Sequence, residues 1–474
     1  MRAWTPVQIL NQAEEGRLHE TAMRIMAEVG FLVESGPMLG RLEAAGARVD
    51  KRASRAWFPQ EFMESFLAES ERFDWSAVEP SVGGHSSAYC GYYLNPETNS
   101  HEPWTLPALL SYFKVAHYLP HVRADVGLPF RLTGVPDAAL VLFFHYLTFK
   151  LTGRSGSGLN NVRYCPHVLE MCEEAAGETG GDVQDVFSGY VHLISPLKLG
   201  HEECEIFTFF ADRGVRVAIG SMSSVGGTGP VTLAGTLALH LAQQLFLNVV
   251  MRAYFGDRRI WLGCSISPLD MRTGMYAYGR PEKELCNVAM AQMARRYGAS
   301  YGGHCGHSDA KRPGPEAGFQ KALNSIPTLL ACGRTAICCG LLSVDEVFSP
   351  VQMVIDDEMV AALQRFARGF EVSDETLAFE VIKAVGPGGN FLGEEHTARH
   401  VRGEIWHPQL FSHSMFAGWR RDGCKADVDA AAEVCRDIMK RDPVRSRISD
   451  ALESRLLNVI HRASGAVVQP VSPL

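Results

Sequence analysis

From about residue 185 the chain alternates short β-branched runs with long amphipathic stretches, and this cadence restricts the fold more than any other feature. The clearest extended runs are VFSGYVHLIS (186–195), VRVAIGSM (215–222), RIWLGCSIS (259–267), SYGGHCGH (300–307) and TAICCGLL (335–342). Each is followed by a helical segment such as EKELCNVAMAQMARRYG, the alternation of a parallel sheet with crossover helices. Successive starts lie 29, 44, 41 and 35 residues apart, enough for a strand, a helix and a loop that carries function. Three fainter runs upstream, SSAYCGYYL, VRADVGLPF and SGSGLNNV, bring the count to eight. An open doubly wound sheet has the same alternation, but topology favours an α/β fold of the (β/α)8 TIM-barrel type.

Ahead of this region, Leu18, Ala22, Ile25, Met26 and Val29 recur at three and four residue intervals up to Gly30, and PQEFMESFLAES repeats the helical texture. The expected organisation is therefore a helical layer over 1–80, a barrel over 81–425 and a C-terminal helical segment over 426–474. Hydrophobic residues make up 46% of the 474, which supports a full core and argues against disorder. The net charge is 45 − 53 = −8 with no Lys/Arg block, so neither a nucleic-acid footprint nor a polybasic membrane anchor is expected. Twelve scattered cysteines, with Cys338 and Cys339 the one close pair, fit a reducing cytoplasm. The start, MRAWTPVQIL, lacks a basic region before an apolar core, and His145, His240, Gln243 and Asn248 interrupt the longest apolar segments. No export signal or membrane span is expected.

In either α/β arrangement chemistry collects at the carboxyl ends of the strands, which selects 221–229, 264–272, 304–311 and 338–346. SMSSVGGTGPVTLAG (221–235) runs through glycines into a helix without dinucleotide or P-loop spacing; it reads as an anion cradle or as a close-packing turn. Asp270 and Arg272 form either a loop-fixing ion pair or a clamp for a carboxylate. His304 and His307 suit ligands, acid/base groups or ordinary loop residues. With Cys264, Cys305, Cys338 or Cys339 they reach the ligand count of a zinc site, but neither CxxC nor HExxH occurs. Tyr92, Tyr93, Tyr276, Tyr278 and Phe348 suit a quaternary ammonium ligand, whose methyl groups donate no hydrogen bonds, or plain packing.

Several stretches, in order, resemble the trimethylamine methyltransferase family, in the branch lacking pyrrolysine that includes glycine betaine:corrinoid methyltransferases. They are EVGFLVES with LEAAGARVD, GPVTLAGTLAL (229–239), LDMRTG (269–274) with YGRPEKEL, SDAKRPGPEAGFQKAL (308–323), VIDDEM (354–359) and VGPGGNFLGEEHTARHVRGEIWHPQL (385–410). The resemblance implies a barrel enzyme that moves a methyl group from a quaternary or tertiary methylated amine to the cobalt of a corrinoid (cobalamin) on a separate protein. Around the pocket such an enzyme needs, His304, His307 and Asp309 are the catalytic candidates, and Tyr92, Tyr93, Asp270, Arg272, Asp345 and Phe348 the substrate-binding ones. No resident metal is expected; a zinc ion would take His304, His307, Cys264 and Cys338. The chain departs from the family pattern at His304, His307, Ala336, Ile337 and Ser343, while Asp309 and Lys311 keep it. These departures leave open a zinc-dependent homologue with another methyl donor, or a methylamine-binding barrel without turnover. Barrels of this kind commonly form homo-oligomers, but no stretch stands out as an interface.

Overall fold

The structure is a computed structural model that describes residues 6–86, 88–89, 91–127, 131–156 and 158–472. Parallel strands dominate its centre. Arg334–Cys339 pairs with Ser81–Ser86, which pairs in turn with Val122–Arg123. Gly189–Leu193 pairs with Val217–Ser221, and Trp261–Cys264 with Ser300–Gly303. The short strands Ser223–Val225 and Ile266–Pro268 join these two pairs beyond Ser221 and Cys264. Single bridges, Ser155 to Phe187 and Gly158 to Tyr190, add the 155–158 segment.

A strand near residue 336 thus lies beside one near residue 83, the neighbour relation a barrel requires. Among the described residues, however, no ladder joins Val122–Arg123 to the 155–158 segment, or Ser300–Gly303 to Arg334–Cys339. The α/β alternation expected from the sequence is present, while its hydrogen bonding falls into separate sheets and not one continuous ring. Several boundaries differ from the sequence reading. The first parallel strand is SVGGHS, whose two glycines weaken its β signal, and not SSAYCGYYL. Among the described residues of the latter, Ser86 ends that strand and Tyr92–Leu94 is extended; Tyr92–Leu94 belongs to a small sheet with Val347–Phe348 and His101–Pro103, and Ser87 and Cys90 lie outside the described residues. VRADVGLPF contributes Val122–Arg123 alone, its last three residues being outside the description, as is Ser157 of SGSGLNNV. RIWLGCSIS breaks at Ser265, and SYGGHCGH stops being a strand at Gly303.

The helix Leu233–Phe255 is long and apolar enough to cross a membrane, but 83% of its apolar window is buried inside the fold. Its polar residues explain its position. Gln244 donates to the Ser221 hydroxyl at 2.8 Å and accepts from the Gly263 amide at 2.8 Å; His240 bonds Ser223 at 3.0 Å. Side chains that interrupt an apolar run therefore satisfy strand groups that would otherwise be buried without partners. The N-terminal segment is mixed and not purely helical. Helix Gln12–Arg24, capped reciprocally by Asn11 and Glu14, leads into antiparallel strands Phe31–Val33, Arg48–Asp50 and Arg55–Trp57, and the first of these also pairs with Lys198–Leu199. All cysteines among the described residues are free thiols.

Candidate functional site

The strand Ser300–Gly303 ends in two glycines, and the chain then turns inward as a loop. The His304 amide donates to the Cys264 carbonyl at 3.0 Å, fixing the loop to the neighbouring strand. Gly306 has φ +72°, and a Cβ there would stand 2.3 Å from the Ile337 Cα; only glycine lets the loop lie this close to the next strand. Asn324 accepts from the His307 amide at 3.1 Å and donates to the His307 and Tyr278 carbonyls at 2.8 and 3.3 Å. The imidazoles of His304 and His307 consequently stack, with centroids 3.8 Å apart and planes 27° apart. Tyr278 meets both edge-on, at 5.2 and 5.0 Å.

A second loop closes on the first. Backbone bonds from Ser343 to Ala310 (2.8 Å) and from Val344 to Ser308 (2.9 Å) bring Asp345 to the Tyr278 hydroxyl, which donates to its carboxylate at 3.2 Å. Burial raises the Asp345 pKa to about 6, opposed by the Tyr278 hydrogen bond and by the charge of Lys283. Lys283 is 1% exposed. Its ammonium donates to the His304 carbonyl and lies 5.9 Å from the Tyr278 ring centroid, and it makes no ion pair among the described residues. Burial, then the Lys283 charge for His304 and the His304 charge for His307, hold both imidazoles well below the ordinary range, so they are neutral. The Nδ1 atoms of both rings are buried without a hydrogen-bond partner among the described residues. Leaving such an atom unpaired costs about 1–3 kcal/mol.

Beside this cluster lies a cavity of about 1130 Å³, lined among others by His85, Tyr89, Tyr190 and His192. His85 and His192 are near enough to depress the His304 pKa, and Tyr190 is near enough to feel the charge of Asp345. Composition and spacing gave no cue to these four, because each lies on or just after a strand whose sequence is glycine-interrupted or alternates aromatic and polar residues.

The remaining expected residues are placed elsewhere. Asp309 accepts from the Tyr278 and Gly279 amides at 2.7 and 3.0 Å; it holds Tyr278 in position, and its oxygens are already engaged. Phe348 is fully buried against Trp104 (5.6 Å) and Tyr112 (6.2 Å), and Tyr93 meets Trp104 at 5.5 Å. This aromatic layer reaches the cavity through Tyr89, 6.2 Å from Phe348. Tyr92 is 50% exposed. Asp270 bonds Arg280 at 2.9 Å, and the Arg272 side chain is 87% exposed at 3.7 Å from Asp270, so the arginine expected to clamp a carboxylate points into solvent. The buried cation in the site is Lys283, which lies within the YGRPEKEL stretch.

The thiols offered for a metal are also separated. Cys338 meets His85 at 3.4 Å, and burial pushes the Cys264 thiol well above its ordinary pKa. Among the described residues no three His, Cys, Asp or Glu side chains are grouped to hold a metal ion.

The sequence profile of the trimethylamine methyltransferase (MTTB) family matches residues 1–467. Over 432 residues, 87% of this chain and 88% of the relative, the sequence is 27% identical to glycine betaine methyltransferase of Desulfitobacterium hafniense (strain Y51). Trimethylamine methyltransferase MttB of D. hafniense (strain DSM 10664 / DCB-2) is 26% identical over 452 residues, covering 92% and 91% of the two chains. MttB of Methanosarcina barkeri (strain Fusaro / DSM 804) is 33% identical over 279 residues, which span 58% of this chain and 56% of that one. The crystal structure of M. barkeri monomethylamine methyltransferase superposes with a TM-score of 0.44 at 11% identity, covering 97% and 96%. With its profile matched almost from end to end, this chain belongs to the trimethylamine methyltransferase (MTTB) family and is a methyltransferase of that family.

Proposed function

We propose that the chain demethylates a small quaternary or tertiary amine bearing a carboxylate, as a betaine does, and passes the methyl group to a corrinoid on a partner protein. The observation that carries this reading is the pairing of two opposite ends in one buried cluster. At one end the Tyr278 ring and the Asp345 carboxylate attract an alkylated ammonium. At the other, Lys283 is a buried cation with no ion pair among the described residues, beside the His304 and His307 Nδ1 atoms, which have no partner among them either. A neutral imidazole donates a hydrogen bond to a carboxylate without needing its own counter-ion, and a buried ammonium gains most from an anionic partner.

A Co(I) corrinoid on the partner supplies the electron pair that receives the methyl group. The C–N pair stays with nitrogen, which leaves as a neutral amine. The residues of this chain therefore bind, orient and keep the donor dry; none is required to donate a proton when the donor is quaternary. Asp309 and Asn324 act one step back, by fixing Tyr278 and His307. Closure of the parallel strands into a full eight-stranded barrel is part of the same proposal, since it gathers these strand ends around one cavity open to the docked partner.

Incubating the protein with a reduced corrinoid protein and a panel of betaines and tertiary amines tests the reading. Formation of methylated corrinoid, followed by absorbance, is expected with at least one carboxylated donor and more slowly with donors lacking the acid group. Failure with every donor overturns it.

A further inference from the structure

The cavity beside the cluster has a second end. Its inner lining includes His85, Tyr190 and His192, carried by parallel strands. Its outer lining includes His117, Thr152 and Thr179, which lie in the last turns of the helices Leu106–Tyr118, Asp137–Thr152 and Cys165–Thr179. Helices that cross between parallel strands run against them, so these last turns stand at the amino ends of the strands, opposite the mouth. A space bordered both by inner strand residues and by the helices behind the strands has to pass between two strands. It does so where Val122–Arg123 and the 155–158 segment share no ladder among the described residues, for Val122, Arg123, Ser155 and Gly156 all border it. At about 1130 Å³ the space exceeds the ~300–1,000 Å³ of a pocket that encloses one drug-sized ligand, and a small methylated amine fills a fraction of it. A binding pocket does not need this extent; a route does.

The charge along this route is opposite to that of the chain. Its walls hold three arginines, Arg123, Arg154 and Arg447, and one carboxylate, Asp125, 3 − 1 = +2 in a chain of net charge −8. Arg123 pairs with Asp125 at 2.8 Å. Arg154, just ahead of the 155–158 segment, and Arg447 are exposed and make no ion pair among the described residues. The Arg447 amide donates to the Lys150 carbonyl at 2.7 Å, which fixes this arginine beside the end of the Asp137–Thr152 helix. Cations beside helix carboxyl ends offset the helix dipoles, which accounts for positive charge there but not for the space that leads inward between the strands. Walls of one sign around a cleft concentrate the field and draw in solutes of the opposite sign. The mouth at the carboxyl ends faces the docked corrinoid protein, so a donor that exchanges while the partner is bound needs another way in.

We propose that the space between Val122–Arg123 and the 155–158 segment is a second passage to the cluster, selective for small carboxylate-bearing molecules, with Arg154 and Arg447 recruiting the acid group at its outer end. In the methyl transfer proposed above, on which the cargo of this passage rests, the carboxylated donor enters by it and the demethylated acid leaves by it. Ser188 borders the passage beside Gly156 and is exposed, while Cys424 is the one exposed thiol among the described cysteines. Alkylation of Ser188→Cys in a Cys424→Ser chain, measured above that parent, therefore reads access without any methyl transfer. Reversal of both outer charges, Arg154→Glu with Arg447→Glu, should slow alkylation by anionic iodoacetate about tenfold and leave neutral iodoacetamide within about twofold. A ratio of the two rates that the reversal does not change overturns the proposal. In turnover with the reduced corrinoid protein, the same reversal should lower kcat/KM for trimethylglycine about tenfold, keep kcat within about twofold and spare choline, which has the same cation and no acid group. Alkylation that responds while kcat/KM for trimethylglycine does not overturns the use of the passage by the donor. If no donor is turned over at all, the methyl-transfer reading fails, while a responding alkylation still upholds the passage.

Discussion

Under the proposed function, individual side chains in the cluster have separable duties. Transfer of the methyl group would remove the positive charge at nitrogen, so Asp345 would interact with the bound donor more strongly than with the transition state and contribute to affinity. Asp345→Asn is expected to raise KM about tenfold, a loss of ~1.4 kcal/mol, and to leave kcat within a few-fold. The same substitution should raise thermal stability at pH 8. Burial shifts this carboxyl from 3.8 to about 6, so the folded state holds its proton longer than the unfolded one; stability is lost as pH rises from 3.8 through about 6, and the loss is complete at pH 8. In the free enzyme kcat/KM should fall as pH drops through about 6, and that limb should vanish in the asparagine variant. Lys283→Met tests the other end of the cluster: carboxylated donors should lose at least tenfold in kcat/KM, while a donor with no acid group should lose little. Equal losses for both would show that Lys283 serves only to hold the His304 loop.

At the scale of elements, the strand Arg334–Cys339 is held from behind by a buried pair. Lys321 and Asp356 are fully buried at 2.7 Å; Lys321 also donates to the Cys338 carbonyl at 2.7 Å, and Asp356 accepts from the Gly340 amide at 2.8 Å. Burial raises the Asp356 pKa against the attraction of Lys321. Lys321→Met leaves a buried carboxylate without its cation and should destabilise by about 3–5 kcal/mol, read from denaturant midpoints. The double variant Lys321→Met with Asp356→Leu should recover much of that loss. Gly306→Ala addresses the neighbouring loop: the left-handed φ and the contact with Ile337 both oppose a side chain. It should cost about 1–3 kcal/mol and should lower activity more than stability, because the stacked histidines move with the loop.

The whole molecule carries a pH liability of its own. Burial holds His145 and His240 down at about 4, and His304 and His307 well below 6.5. An unfolded chain protonates these groups near 6.5, so below that pH the unfolded state binds more protons and is favoured. The buried carboxyls Asp345, Asp356, Asp357 and Glu284, all raised by burial, work in the opposite sense, but burial also lowers His19, His85, His117 and His192, so the histidines outnumber them. The melting temperature should therefore fall steadily from pH 6.5 to 4.5; a flat profile over this range would contradict neutral buried histidines.

What the sequence by itself determined was the alternation of strand and helix and the family, because each is carried by local periodicity or by contiguous motifs; it also pointed to the strand ends, where the candidate cluster lies. His304 and His307 were visible for the same reason: they follow a strand directly. The tertiary structure alone decided which residues meet. Strand boundaries in SVGGHS and SYGGHCGH were blurred by glycines, whose role is set by the neighbouring backbone and not by their own propensity. Arg272 and Lys283 lie eleven residues apart and offer the same charge; packing turned one to solvent and buried the other. Tyr278 met Asp345, and Asp309 became a clamp on backbone amides, through contacts between loops 30 to 70 residues apart in the chain, and no local pattern encodes a contact at that separation.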